Sequence, residues 1–203
     1  METAERVEAC VGELDITKKD GERCFNVTEL FPHEDYDQCT DRIRDDIALI
    51  KLPKKIKIPN LTKKGFGSTN TACKPKDEEE YKGFGVTVGW GIVDWDKKTQ
   101  NSAHLKSVHL PIWSNEDCQK YWSAKNKTIQ DTHICAGSDL GQNVCMGDSG
   151  GALLWYDSSS KKVQATAVGI LSFSGFPCAS EGMPAIYTRV SKYLDWIQDT
   201  ILN

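Results

Sequence analysis

Short runs of β-forming residues, separated by Gly, Pro, Asn and Asp, recur along most of the chain. Apolar residues in these runs alternate with polar ones or follow one another briefly, as in partly or fully buried strands. The predicted strands cover residues 24–31, 47–52, 85–93, 152–156, 163–172 and 185–190. Many short strands with turn residues between them predict an all-β protein.

Helical periodicity occurs near the C terminus. Apolar residues recur there at intervals of three or four, at Val190, Tyr193, Leu194, Ile197 and Ile201. This spacing predicts a C-terminal helix that packs through one face. A second short helix is predicted to begin near Ser114, because its hydroxyl can cap a helix whose first turn holds Glu116 and Asp117.

A polar segment without periodicity divides the predicted strands into two groups. Residues 67–82 contain consecutive acidic residues at positions 77–80 and are typical of a linker. We therefore predict a first β unit at residues 1–72, a linker at residues 73–84, and a second β unit with the C-terminal helix at residues 85–203.

Composition narrows the class of protein. The 203 residues are 39% hydrophobic, which suits one or two packed units. The 25 Lys and Arg residues against 29 Asp and Glu residues give a net charge of −4, so no basic field is expected to attract nucleic acid. No apolar run approaches the roughly 20 residues of a membrane-spanning helix, so no membrane partner is expected. The acidic N-terminal segment is unlike a signal peptide.

The cysteines favour an oxidising, extracellular setting. Eight are spread along the chain without a CxxC pair, at Cys10, Cys24, Cys39, Cys73, Cys118, Cys135, Cys145 and Cys178. This spacing argues against zinc and for disulfides. Asn26, Asn60 and Asn126 begin N-x-Thr sequons that would accept glycans in a secreted protein, although such short motifs also arise by chance.

The motif Gly147-x-Ser149-x-Gly151 is the strongest chemical signal in the chain. Taken alone it fits the nucleophile turn of an α/β-hydrolase, or a glycine-rich turn with no catalytic role. An α/β-hydrolase needs a histidine after the serine, whereas the last histidine, His133, precedes Ser149. A subtilisin-like order, Asp46 followed by His104, His109 or His133, would require alternating strands and helices that the pattern does not show. Of the known catalytic triads, this leaves the chymotrypsin-like one, in which the residues follow one another along the chain as His, Asp and Ser.

Further motifs follow one another in a fixed order. They are residues 45–52 (Asp-Asp-Ile-Ala-Leu-Ile-Lys-Leu), 88–91 (Val-Gly-Trp-Gly), 134–137 (Ile-Cys-Ala-Gly), 145–151, 172–174 (Ser-Phe-Ser) and 184–190 (Pro-Ala-Ile-Tyr-Thr-Arg-Val). Over essentially its whole length the sequence resembles the trypsin/chymotrypsin family of serine endopeptidases. The resemblance implies two antiparallel Greek-key β-barrels, chymotrypsin-like, the first one incomplete, with a C-terminal helix and one peptidase domain overall.

The resemblance also implies a function. It is hydrolysis of peptide bonds in protein or peptide substrates, without a cofactor or a metal, with protein inhibitors as further partners. Ser149 would be the nucleophile, the N–H groups of Gly147 and Ser149 would form the oxyanion hole, and buried, ionised Asp46 would orient the histidine. The alternatives without catalysis are a structural turn serine at Ser149 and a surface aspartate at Asp46.

The family's histidine, in an Ala-Ala-His-Cys segment, would fall before Met1. His33 precedes Asp46, but it lies in a segment that resembles a surface loop of the family. We therefore expect an N-terminally truncated, nearly inert endopeptidase; the alternative is a catalytically inactive homologue that acts as a binding or decoy module. Asp148 would pair with the ammonium freed on zymogen activation, and without it should turn outward or protonate.

Specificity in the family depends on the residue six before the nucleophile, which is Asn143 here. An aspartate there selects Lys or Arg, so Asn143 predicts small or apolar side chains before the scissile bond. Ser174 and Ala185 replace glycines of the pocket walls and should exclude long side chains. A calcium loop starting at Glu13 is not expected, because lysines intrude among the possible oxygen ligands.

Disulfide pairs are also implied by the resemblance. Cys118 would pair with Cys135, and Cys145 with Cys178. Gly85 and Trp155 occupy the positions of a further family bridge. Cys73 resembles a cysteine that ties the domain to an N-terminal pro-segment, and Cys10, Cys24 and Cys39 leave one pair and one unpaired cysteine.

Overall fold

The computed structural model describes residues 7–19, 21–37, 43–58, 69–77, 79–94, 101–137, 141–157, 164–180 and 182–202. Its strands are β1 (Val7–Val11), β2 (Arg23–Val27), β3 (Glu29–Pro32), β4 (Ala48–Lys51), β5 (Phe84–Gly89), β6 (Lys106–Trp113), β7 (His133–Ala136), β8 (Ala152–Tyr156), β9 (Ala165–Phe173) and β10 (Ala185–Arg189). Its helices are α1 (Asn115–Ser123), a 3-10 turn (Val190–Tyr193) and α2 (Leu194–Leu202). None of the described helices is long and apolar enough to cross a membrane.

Six strands form a closed antiparallel barrel in the order β10-β7-β6-β5-β8-β9. Closure pairs every strand on both sides and removes exposed sheet edges. The barrel is filled by side chains with almost no solvent exposure, including Leu110, Ile134, Leu153, Val168 and Tyr187. This dense interior gives the site a rigid support.

The four strands before residue 58 form two separate two-stranded antiparallel sheets, β1-β2 and β3-β4. In β1-β2, Cys10 lies opposite Cys24 and the two form a disulfide. In β3-β4, the cross-strand neighbours Leu30 and Ile50 are 46% and 50% exposed. A two-stranded sheet buries little apolar surface, so these strands depend on packing against other parts of the chain.

The segment that precedes β4 packs against the C-terminal turn and helix. Ile47 is buried in a cluster with Val190, Tyr193 and Ile197. Val190, Tyr193 and Ile197 are apolar positions of the predicted C-terminal helix, and their helical spacing brings them to one face. The C-terminal turn and helix therefore hold the segment around Ile47 in place through apolar contacts.

Helix α1 begins as predicted. Ser114 is its N-cap and accepts a hydrogen bond from the Asp117 N–H at 3.1 Å, while Glu116 and Asp117 lie in the first turn. Its buried face carries Cys118 and Trp122. The Cys118–Cys135 disulfide fastens this face to β7.

The all-β prediction is confirmed, with differences in detail. Residues 152–156 form β8 as predicted, whereas the run predicted at 24–31 is two strands separated at Thr28. The predicted strand 85–93 ends at Gly89. The division at residues 73–84 stays a prediction; within it, Tyr81 is buried in the barrel core.

Candidate active site

Ser149 lies in a tight double turn between a disulfide and strand β8. Gly147 and Gly150 adopt positive φ angles of 94° and 82°, a conformation that favours glycine. The Asp148 N–H donates to the Cys145 carbonyl at 3.1 Å, and the Gly151 N–H donates to the Asp148 carbonyl at 2.9 Å. The turn thus presents Ser149 on the surface, and its side chain forms no hydrogen bond with the described residues.

The amides on either side of Asp148 are available to a ligand. Among the described residues, the N–H groups of Gly147 and Ser149 donate to no acceptor, whereas the Asp148 N–H between them is used within the turn. Unpaired backbone N–H groups beside a nucleophile can stabilise a negatively charged oxygen.

Asp46 is half-buried just before β4 and is held by two barrel strands. Its Oδ2 accepts a hydrogen bond from the Ser172 hydroxyl at 2.6 Å. Its backbone carbonyl accepts one from the Thr188 hydroxyl at 2.8 Å. Because both donors come from the barrel, the carboxylate is fixed in position, and no described donor occupies its Oδ1.

Strand β9 brings Asp46 and the nucleophile turn to the same place. The Gly150 N–H donates to the Leu171 carbonyl at 2.9 Å, and the Leu171 N–H donates to the Gly151 carbonyl at 2.8 Å. The next residue of β9 is Ser172, the partner of Asp46. Asp46 and the turn that carries Ser149 are therefore both held by the same end of β9.

The Asp148 carboxylate points inward, so of the two expected alternatives, turning outward or protonation, the structure does not show the first. Its Oδ1 accepts from the Gly91 N–H at 2.8 Å and its Oδ2 from the Cys145 N–H at 2.9 Å. A side chain at Gly89 or Gly91 would overlap this carboxylate. Backbone N–H groups supply the partners that hold it inside, and these were not evident from the sequence.

Asp148 also lines a cavity of about 310 Å³. Thr87, Gly91, Lys106 and Asn143 are among the other residues of its wall. Cys145 and Asp148, which precede Ser149, both line this cavity. It places a carboxylate at the wall of a space large enough for a small ligand.

The three predicted specificity residues have different surroundings. Asn143 donates from Nδ2 to the Met183 carbonyl at 2.6 Å, and its Oδ1 accepts from the Val144 N–H at 2.9 Å. Ala185 is fully buried in the barrel core, and Ser174 is half-buried. Neither Ser174 nor Ala185 lines the cavity that Asn143 shares with Asp148.

No histidine in the described part of the chain forms a hydrogen bond with Asp46 or Ser149. His33 packs against the rings of Tyr193 and Trp196, with centroids 5.5 and 5.0 Å away. His104 and His109 have exposed side chains at other places on the surface. His33 therefore has a packing role here, in keeping with its assignment to a surface loop.

His133 is buried and positions the segment that carries Asp46. Its Nδ1 accepts from the Gln130 N–H at 3.1 Å, so the neutral ring carries its proton on Nε2 and donates to the Ile43 carbonyl at 2.9 Å. Burial lowers the pKa of His133 below its usual range. The contact joins β7 to a residue three before Asp46.

In the segment that was considered as a calcium loop, the ammonium of Lys18 pairs with the carboxylate of Asp15. Asp15 is 4% exposed, and its Oδ2 lies 2.8 Å from the Lys18 ammonium. This hydrogen bond to Lys18, together with those from Thr17, holds the pKa of Asp15 well below its usual range. Elsewhere in the described residues, Glu8 lies near the sulfurs of Cys10 and Cys24, but these sulfurs form a disulfide.

The disulfides agree with the resemblance. Cys118 pairs with Cys135 and Cys145 with Cys178, and Cys10 pairs with Cys24. Cys73 is exposed and free among the described residues. Cys39 lies outside the described residues.

The closed barrel, with the Asp46 segment held beside the turn that carries Ser149, is that of a chymotrypsin-like fold. The trypsin family model matches residues 1–197, and the chain belongs to this family. Serine protease ea from Drosophila melanogaster is 30% identical over 177 residues, which cover 86% of this chain and 43% of that relative. Phenoloxidase-activating factor 1 from Holotrichia diomphalia is 33% identical over 195 residues, covering 95% and 49%.

Trypsin-1 from Astacus astacus is 32% identical over 189 residues, which cover 92% of this chain and 72% of that protein. The chain spans less than half the length of the Drosophila and Holotrichia relatives. Membership of the family and the chymotrypsin-like fold, both predicted from the sequence, are confirmed.

The pH dependence of stability should depend on His133. The unfolded protein takes up a proton on this residue as the pH falls below about 6.5, whereas the folded protein, with its lowered pKa, does so only at lower pH. The free energy of unfolding should therefore fall below pH 6.5, by at most about 1.4 kcal/mol per pH unit, and level off below the folded-state pKa. Urea unfolding from pH 4.5 to 8 measures this change.

His133→Gln should reduce the slope in this pH range, since no buried imidazole remains. It should also lower stability at pH 8 by about 1–3 kcal/mol, because the Gln130 N–H loses its acceptor. His109→Gln, at an exposed position, is the matched control and should keep the slope. An unchanged slope in His133→Gln would show that other titratable groups determine the pH dependence of the free energy of unfolding.

Proposed function

We propose that this chain carries the nucleophile and the orienting aspartate of a serine endopeptidase that hydrolyses peptide bonds in protein or peptide substrates. The supporting observation is the end of β9, where Ser172 binds Asp46 and Leu171 binds the turn that follows Ser149. Family membership supports proteolysis as the general activity.

The roles follow from the contacts. Ser149 attacks the scissile carbonyl, and its proton passes to an imidazole held by Asp46 Oδ1. The free N–H groups of Gly147 and Ser149 stabilise the oxyanion of the tetrahedral intermediate. The imidazole then protonates the leaving amine, and water hydrolyses the acyl-enzyme by the same sequence. We place that histidine outside these 203 residues.

A second candidate function is a catalytically inactive homologue that binds proteins without cleaving them. It is supported by two histidines with other roles: His33 packs against Tyr193 and Trp196, and His133 contacts the Ile43 carbonyl. The two functions differ in whether Ser149 becomes reactive when a histidine is supplied.

Three disulfides support an extracellular location. Asn26 and Asn126 have exposed side chains in the structure, as glycan attachment requires. The sequon at Asn60 lies outside the described residues. We propose a secreted glycoprotein, with protein inhibitors as further partners of the active enzyme.

Ser149 in the 203-residue chain should react with a fluorophosphonate probe no faster than other serines, because no described base contacts its hydroxyl. The same chain extended at its N terminus by a segment with Ala-Ala-His-Cys and a cleaved Ile-Val-Gly-Gly peptide should label at Ser149 faster by several orders of magnitude. Mass spectrometry of labelled peptides over time gives both rates.

Two variants of the extended chain serve as controls. Ser149→Ala should abolish the labelled peptide, and Asp46→Ala should slow labelling on the order of 10⁴-fold, by analogy with loss of the aspartate in subtilisin. If the extended chain folds and still fails to label, the inactive binding protein is the better assignment. Rapid labelling of the 203-residue chain would contradict the absence of a base.

Asp148 is proposed to pair with the ammonium that zymogen cleavage frees. Its carboxylate lines the 310 Å³ cavity and has only backbone N–H partners, which carry no net charge. An Ile-Val-Gly-Gly peptide with a free N terminus should therefore bind the chain, while its N-acetylated form should bind at least tenfold more weakly, since it lacks the cation. Isothermal titration calorimetry measures the difference.

Asp148→Asn is the matched variant for this cavity. It keeps an acceptor for one N–H but loses the charge, so it should bind both peptides equally weakly. Thermal unfolding shows whether the variant is folded. Equal affinity of the unmodified chain for the free and acetylated peptides would exclude an ammonium site at Asp148.

Asn143 is proposed to set a preference for small or apolar side chains before the scissile bond. A Lys or Arg side chain would bury its cation without a carboxylate, at a cost of several kcal/mol. In the extended, cleaved enzyme, kcat/KM across a peptide panel should favour small or apolar residues on the order of 10²-fold or more. The highest kcat/KM after Lys or Arg would contradict this.

Asn143→Asp should shift the preference only partly towards Lys and Arg. The substituted oxygen would face the Met183 carbonyl, to which Asn143 now donates at 2.6 Å, so the new carboxylate has to rotate away. Asn143→Ala, which removes the amide without adding charge, is the control and should show no such shift.

A further inference from the structure

A second cavity, of about 740 Å³, lies between the end of β10, the start of α1 and the segment before β5. Its wall includes Ile112, Trp113, Asn115, Ile134 and Arg189. None of these belongs to the Ser149 turn or to the cavity at Asp148. It is therefore separate from the candidate active site.

The carboxylates of this wall are already paired with lysines. Glu80 lies 2.9 Å from Lys82, and Asp131 lies 3.3 Å from Lys192. The third, Glu79, has the ammonium of Lys76 at 3.8 Å and accepts a hydrogen bond from the Tyr81 hydroxyl. Among the described residues, none of these three carboxylates forms an ion pair with Arg189.

Arg189 is half-buried and its guanidinium contacts only neutral oxygens. Nε donates to the carbonyls of Asp131 and His133 at 2.9 and 3.0 Å, and Nη2 donates to Asn115 Oδ1 at 3.0 Å. Within the described residues, no carboxylate lies within the 4.0 Å of an ion pair, and Nη1 has no acceptor. Burial lowers the pKa of Arg189, and the negative charges of Asp131 and Glu80, which make no direct contact with the guanidinium, only partly oppose this shift.

The unused N–H groups of Arg189 form an edge suited to a carboxylate. A guanidinium binds a carboxylate with two parallel hydrogen bonds, and the pair is stronger where water is partly excluded. Ile112, Trp113 and the buried Ile134 provide apolar wall beside it. The Trp113 Nε1–H is bonded to the Gly137 carbonyl at 3.0 Å, so the indole is held in place and offers apolar surface.

We propose that this cavity binds a single carboxylate on an aliphatic stem, with Arg189 as its counterion. The source is either a Glu side chain of a peptide or a small free carboxylic acid. Polyanions are disfavoured, because the three acidic side chains of the wall balance its three basic ones and leave no net positive charge.

The test is a set of four probes added to the 203-residue chain. Hexanoate and the blocked peptide Ac-Leu-Glu-Leu-NH₂ represent the two sources, and hexanamide and Ac-Leu-Gln-Leu-NH₂ are their uncharged controls. NMR chemical shifts of the Trp113 indole N–H and the Asn115 side-chain amide report binding at this cavity. At least one acid should bind at least tenfold more tightly than its amide, and more weakly as salt rises.

Variants separate the charge from the geometry of Arg189. Arg189→Gln should weaken binding of the acid at least tenfold, and Arg189→Lys, which keeps the charge but not the two-pronged geometry, severalfold. Lys55→Gln removes a positive charge at an exposed position elsewhere and should leave the affinity unchanged. Thermal unfolding identifies any variant that does not fold. In that case the comparison of acid and amide probes on the unmodified chain still tests the proposal.

The outcomes distinguish the two sources. Binding of hexanoate as tightly as the peptide indicates a free-acid site, and binding of the Glu peptide alone indicates a peptide-docking site. Equal shifts with acid and amide probes, no shift at Trp113 and Asn115, or full affinity in a folded Arg189→Gln protein would overturn the proposal. Because no step uses Ser149, the result is independent of the endopeptidase proposal.

Discussion

Strand β9 is the element on which both halves of the candidate active site depend. It is paired on one side with β8 and on the other with β10, so its end cannot shift without breaking the barrel. At that end Leu171 forms two backbone hydrogen bonds with the turn that follows Ser149, and Ser172 holds the Asp46 carboxylate. The barrel thus fixes a serine and an aspartate that lie far apart in sequence, without help from the mobile ends of long side chains.

The fold was predictable where the pattern is local. β8 and the cap of α1 matched their predictions because alternation and capping act within a few residues. β6 was missed because it contains Pro111 and exposed polar residues, and local rules place Pro outside strands. β7 has four residues, and its strand conformation comes from pairing with β6 and β10, which the local sequence does not encode.

In the candidate active site, too, local features were predicted from the sequence and long-range contacts were not. The turn at Ser149 was evident from consecutive glycines, whereas the Ser172–Asp46 bond spans 126 positions and the Gly91–Asp148 bond spans 57. The motif at residues 172–174 contributed to the family resemblance, but nothing in its sequence indicated which hydroxyl meets Asp46. The inward orientation of Asp148 was missed for the related reason that backbone N–H groups leave no trace in residue type.

Asp148 and Arg189 show that hydrogen bonding and charge compensation are separate requirements. The carboxylate of Asp148 has two N–H partners, and the guanidinium of Arg189 has three oxygen partners, yet none of these partners carries an opposite charge. Hydrogen bonds offset part of the desolvation cost of a partly buried ion, and a counterion offsets more. Each residue lines its own cavity, and the two walls share no residue. The ammonium proposed for Asp148 and the carboxylate proposed for Arg189 would each supply the counterion that these partners lack, and occupancy of one cavity need not alter the other.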